Sequence, residues 1–154
     1  MLKLKPLIIS LLISLGTGAL SSSFTMNSMG AYSELNKPLL SPPGYVFPIV
    51  WTILFTLMGI SSYMIYESNS SDKNMALKIY ATQLVFNFLW SIVFFNLQAP
   101  LLAFIVLLVL WVFIIAMIRS FYNINQTAAY LQIPYLLWVT FAGYLNFAIY
   151  LLNR

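Results

Sequence analysis

The segment YSELNKPLLSPPGYVFPIVWTILFTLMG, residues 32–59, joins the only long irregular stretch carrying both proline and charge to one of the most apolar runs in the chain. Lys37-Pro38 and Ser41-Pro42-Pro43-Gly44 keep its first half out of regular structure. Proline fixes φ, lacks an N–H donor and pushes the preceding residue away from the α region. Ser41 is placed to cap a helix whose first turn holds Pro42, where a missing N–H costs nothing. Further on, Trp51, Phe55 and Met58 recur every three to four residues and so share one helical face. A folded polar loop running straight into an aromatic stripe reads as the lid and wall of one pocket.

Outward from this segment, composition sets the class. Of 154 residues, 62% are hydrophobic and only 6% charged, with mean hydropathy +0.91. Soluble domains carry about a quarter charged residues, so this chain belongs in a bilayer. The net charge of +4 does not point to nucleic acid, because the basic residues sit at the ends of apolar runs, where topology places them. Without cysteine, disulfides, thiolate catalysis and thiolate metal ligation are excluded; without histidine, so is the commonest general base and metal or haem ligand. The three acidic residues, Glu34, Glu67 and Asp72, all fall in loops.

Five apolar runs predict an all-α integral membrane protein, a five-transmembrane-helix bundle in one domain over 1–154. Its helices are expected at about 6–24, 44–66, 75–95, 100–118 and 127–152, with a lid loop at 27–43. The first run also has the basic start and small-residue end of a secretory signal peptide, with Ala19-Leu20-Ser21 resembling a cleavage site, but its length is nearer a span. Ser14, Gly18 and Ser22 give it a small-residue face for close packing inside the bundle. Pro48 is expected to kink the second helix or free a carbonyl, and Pro134 to interrupt the fifth. The short Asn96–Ala99 turn makes the third and fourth helices antiparallel neighbours. Lys3, Lys5, Lys73, Lys78 and Arg119 gather on the N-terminal side, against Lys37 and Arg154 on the other. This predicts a cytoplasmic N-terminus and an outward-facing 27–43 loop. No leader precedes the first run, which favours a bacterial plasma membrane over an organelle.

No ionisable side chain falls within the spans, which argues against a proton relay, an ion-coupled pump or a voltage sensor. Uncharged polar groups and aromatics are left. Gln83, Asn87 and Trp90 or Ser91 share a face of the third helix, and its two amides should point into the bundle. Such an amide serves either as an interhelical hydrogen bond, often worth about 0.6 kcal/mol, or as a polar contact in a cavity. On the fifth helix Trp138, Ala142 and Asn146 align, and the small Ala142 leaves room for a neighbouring helix or a flat ligand. Trp51 and Trp138 lie within about 10 Å of each other in depth at 1.5 Å per residue. Most tyrosines, and Trp111, fit an interfacial belt; Trp138 does not.

Three spaced motifs carry a resemblance. Pro42-Pro43-x-x-x-Phe47-x-x-x-Trp51-x-x-x-Phe55-x-x-Met58-Gly59 resembles the second helix of the TspO/translocator protein family, the tryptophan-rich sensory proteins or peripheral benzodiazepine receptors. Gln83-Leu84-x-x-Asn87-x-x-Trp90-x-x-x-Phe94-Phe95 is similar to its third helix, and Pro134-Tyr135-x-x-Trp138-Val139-x-Phe141-Ala142-x-x-Leu145-Asn146 to its fifth. With Tyr32-x-x-Leu35-x-Lys37-Pro38 before them, the match covers nearly the whole chain, as a bacterial member.

The resemblance implies a homodimeric five-helix bundle that binds porphyrins such as protoporphyrin IX and haem, and benzodiazepine- and isoquinoline-type ligands. Some bacterial members degrade protoporphyrin in light. Carried onto this chain, the ligand-binding residues are Tyr32, Trp51, Phe55, Asn87, Trp90, Trp138 and Ala142, with Trp51 and Trp138 as candidate catalytic residues. Many members have Trp before the loop tyrosine, where this chain has Ala31, and Leu145…Tyr150…Arg154 matches the sterol pattern only loosely. No resident cofactor, metal or nucleic acid is expected; the partners are a porphyrin or other flat lipophile, membrane lipids and a second copy. Aromatic walls would hold the macrocycle while the loop mouth near Lys37 accepts its carboxylate edge. With no His or Cys to ligate iron, metal-free porphyrin is expected to bind at least as well as haem. The competing roles are a non-catalytic tetrapyrrole sensor and a carrier for porphyrin or another lipophile.

Overall fold

The computed structural model describes residues 2–154. The chain is helical throughout: α1 (Leu4–Thr25), α2 (Met29–Ser33), α3 (Val46–Tyr66), α4 (Lys73–Ser91), α5 (Pro100–Tyr122), α6 (Gln126–Tyr130) and α7 (Ile133–Asn153), with no strand among the described residues. Five helical stretches, Leu4–Ser33, Val46–Tyr66, Lys73–Asn96, Pro100–Tyr122 and Gln126–Asn153, are long and apolar enough to cross a membrane.

Several local expectations are corrected. Helix α3 starts at Val46 rather than Gly44, behind Tyr45, with no side-chain cap. Ser41 caps nothing, and Pro42-Pro43 belong to a turn in which the Val46 N–H bonds the Pro43 carbonyl at 3.0 Å. Pro48 is therefore the third helical residue, where its missing N–H is one of the four that no helix satisfies, and α3 runs unbroken to Tyr66. Pro134 marks a break: α6 stops at Tyr130, and α7 begins at Ile133 with proline in its first turn. The third span ends in a π-turn at Ile92–Asn96, which closes Leu97 N–H onto the Ile92 carbonyl at 3.0 Å. Gln98 then takes a left-handed φ of 49°, and the chain reverses into α5 at Pro100. Trp111 lies halfway along α5, not in a belt, and its indole N–H donates to Thr140 on α7 at 2.9 Å.

The closest helix pairs are α1 with α3, α4 with α5, and α5 with α7, whereas α3 and α7 barely approach along their backbones. Hydrocarbon gives helices no hydrophobic reason to associate, so close packing of small residues takes over that role. A Cβ at Gly59 would meet the Ser14 hydroxyl at 2.7 Å and the Leu11 side chain at 2.8 Å. A Cβ at Gly18 would meet the Phe55 ring at 2.7 Å. The Ser14–Gly18 face thus packs α1 onto α3 within one chain. At the N-terminal end of the bundle Lys3 pairs with Glu67 at 3.3 Å, an exposed contact worth little.

Gly59→Ala should lower stability by about 1–3 kcal/mol, because the added methyl group meets the α1 backbone at Leu11 Cα, which cannot swing aside. Gly16→Ala, with open space at its Cβ, should be neutral or slightly stabilising. Thermal unfolding in detergent compares the two.

Candidate functional site

Where α3 and α7 stand apart, side chains enclose a cavity of about 540 Å³. Its walls come from α1, α2, α3, α4, the π-turn and α7. All seven residues expected to bind ligand, Tyr32, Trp51, Phe55, Asn87, Trp90, Trp138 and Ala142, line it.

The walls are aromatic and mutually braced. Trp51 packs on Phe55 with ring centroids 5.5 Å apart, and edge-on against Tyr135 at 6.2 Å. Trp138 meets Phe47 of α3 at 5.9 Å, so two aromatic contacts bridge the wide α3–α7 gap. Trp90 stacks on Phe94 at 5.4 Å, and Tyr32 closes against Phe47, Phe94 and Phe95. Ala142 faces this space rather than a neighbouring helix. Trp138 has a second exposure: with Val50, Ile53, Leu137 and Phe141 it lines a shallow apolar groove of about 380 Å³ on the outer side of the α3–α7 seam. Its indole is shared by the cavity and this outer groove.

Uncharged hydrogen bonds hold α7 against α4. The fully buried Tyr135 hydroxyl donates to Gln83 Oε1 at 2.6 Å and accepts from Asn87 Nδ2 at 2.8 Å. Higher up, the Trp90 indole N–H donates to Asn146 Oδ1 at 2.9 Å, and Asn146 Nδ2 donates to the Pro100 carbonyl at 2.8 Å. Gln83 and Asn87 divide the roles left open by the sequence: Gln83 is an interhelical contact, while Asn87 both makes one and lines the cavity.

The loop contributes less than expected. Residues 34–43 do not line the cavity; Tyr32 and Gly44 flank it from either side. Lys37 lies over the Tyr32 ring, 5.0 Å from its centroid, and its ammonium donates to the Ser33 and Leu35 carbonyls. It does not itself line the cavity. The loop is instead tied to the end of α7, where Asn36 and Asn153 exchange two bonds of 3.0 and 2.8 Å and Tyr144 donates to the Leu39 carbonyl at 2.9 Å. The exposed lining residues Ala19, Ser22, Met26, Gly44, Pro48 and Thr52 put the opening where α1 and α3 diverge, reaching up to the loop end.

Sequence reasoning missed the α1 wall, where Gly18, Ser21, Ser22 and Thr25 line the cavity, and the central role of Tyr135. The signal in α1 was the hydroxyl-rich Ser21-Ser22-Ser23 and Thr25 inside a span. No cluster of three or more His, Cys, Asp or Glu side chains suited to a metal exists among the described residues.

The TspO/MBR family model matches residues 9–152. The chain belongs to the TspO/MBR family. It is 40% identical to a tryptophan-rich protein TspO of Archaeoglobus fulgidus over 148 residues, 96% of each chain. It is 38% identical to the namesake protein of Chlorobaculum tepidum over 144 residues, 92% of this chain and 91% of the relative. A tryptophan-rich sensory protein of Cereibacter sphaeroides is 40% identical over 122 residues, 79% of this chain and 76% of that one. Membership and the five apolar spans make this an integral membrane protein. In this TspO-family bundle the second- and fifth-helix tryptophans of the motifs, Trp51 and Trp138, both face the cavity.

Tyr135→Phe should cost about 1–3 kcal/mol, because it strands the buried Gln83 oxygen and an Asn87 N–H. Tyr144→Phe, which removes an exposed bond to the loop, should stay within about 0.5 kcal/mol. Thermal unfolding of both variants in detergent measures the contrast.

Proposed function

We propose that this protein is a membrane receptor for porphyrins, protoporphyrin IX foremost, and for flat benzodiazepine- or isoquinoline-type lipophiles. One observation carries the reading: a cavity of about 540 Å³, within the usual range for ligand pockets, walled on several sides by Trp51, Phe55, Trp90 and Trp138. Flat π-systems pack against such walls in offset or edge-on geometry, and the bracing among the rings pre-forms them. The chain has no histidine and no thiol, and no carboxylate or lysine lines the cavity among the described residues. In a porphyrin complex the absorbed light would provide the energy and dioxygen the oxidant. Trp51 and Trp138 would act as electron donors to, or quenchers of, the excited ligand.

A sensor reading has its own support. A relative is named a sensory protein, and the loop is fastened to the end of α7, the helix that carries Trp138 and Ala142. Ligand pressure on α7 would reach the loop through that pair of bonds. We further propose a homodimer in a bacterial plasma membrane, with the Lys3, Lys5, Lys73, Lys78 and Arg119 end in the cytoplasm.

Titration with protoporphyrin IX in lipid nanodiscs should saturate, and illumination in oxygen should then give a defined product. Trp51→Phe and Trp138→Phe should retain binding and slow product formation several-fold. Unchanged rate and product in both variants would remove the tryptophan role, and saturable binding with only unspecific bleaching would leave a receptor or sensor.

A further inference from the structure

The cavity's polar atoms are numerous, and none is charged. Ser21, Thr25, Asn87, Ser91 and Asn146 line it, and no Lys, Arg, Asp or Glu does so among the described residues. The nearest candidate cation on the loop side, Lys37, is tied to two backbone carbonyls and to the Tyr32 ring. Three of the lining hydroxyls donate to the chain: Thr25 to the Ser21 carbonyl at 2.8 Å, Thr52 to the Pro48 carbonyl at 2.7 Å, and Ser91 to the Phe88 carbonyl at 2.8 Å. They are left as acceptors. The Ser21 hydroxyl is buried and without a partner.

A carboxylate taken into this space would lose its water and meet no counter-charge. An unpaired anion in a low-dielectric interior is penalised far more heavily than an amide or hydroxyl that finds a partner. Uncharged donors and acceptors suit the opposite kind of guest, an apolar body with an uncharged N–H, O–H or carbonyl.

We propose that the cavity selects for ligands whose enclosed part is uncharged, and that any carboxylate a ligand carries stays outside, at the opening between α1 and α3. This deepens the reading of the cavity as the ligand site, and it holds whether or not that ligand is a porphyrin. For a porphyrin, it means that the propionates contribute no affinity inside the protein, so their esters bind as well as the free acid.

The test uses two matched pairs on the whole protein in nanodiscs, with empty nanodiscs supplying the correction for lipid partition. One pair is protoporphyrin IX and its dimethyl ester; the other is 1-pyrenebutyrate and 1-pyrenebutanol, read by energy transfer from tryptophan. The uncharged member of each pair should bind at least as tightly as the acid, and the order should be the same from low salt to about 0.5 M, since no ion pair is there to be screened. An acid that binds more tightly than its uncharged partner, with an advantage that fades as salt rises, would overturn the proposal. If neither porphyrin binds while pyrenebutanol does and pyrenebutyrate does not, the porphyrin reading falls and charge selection stands. If no member of either pair binds, charge selection falls as well.

Discussion

The hydroxyl of Tyr135, bonded to Gln83 and Asn87, is the contact on which the cavity depends. Helices α4 and α7 are not packed closely along their backbones, so these side chains set their separation. In water, solvent would compete for such bonds; in hydrocarbon, the unpaired alternative is a bare polar group. The pairing therefore fixes rotation as well as distance. It turns the Trp138–Ala142–Asn146 face of α7 inward, and Asn146 extends the clamp to Trp90 and to the start of α5.

On the other side of the bundle the same problem is solved by removing atoms. Gly18 and Gly59 let α1 lie against α3 with Ser14 and Phe55 filling the vacated volume. Below Gly18 the two helices are in close contact; above it α1 presents Ser21, Ser22 and Thr25 to an open space. Close packing at one end and side-chain bridging at the other leave a void between them, which a five-helix bundle packed uniformly would not contain.

Much of this was legible in the sequence. Five apolar runs, the aromatic spacing of α3 and the amide spacing of α4 follow directly from helical periodicity, and they place Trp51, Phe55, Asn87 and Trp90 on the cavity wall, while Met58 of the same α3 stripe and Gln83 of α4 pack in the core. What stayed hidden depends on contacts between distant segments. Tyr135 stood in the fifth-helix motif without a role, and only its partners on α4 mark it as the buried link between helices. Ser41 has the residue type of a cap but lies in a turn before the helix, because Pro42-Pro43 keep the chain extended for longer than local propensity indicates. Lys37 was expected near the mouth for its charge; its ammonium is instead taken up by the Ser33 and Leu35 carbonyls over the Tyr32 ring and does not line the cavity.

The indole of Trp138 stands between the cavity and the groove outside the α3–α7 seam. A guest in the cavity is thus one aromatic ring away from the acyl chains. Dioxygen dissolves better in hydrocarbon than in water, so the bilayer would be the richer reservoir of oxidant for chemistry at that wall. Supply would then follow the fluidity and composition of the surrounding lipid, and the membrane would serve as a reagent store as well as a solvent for the protein.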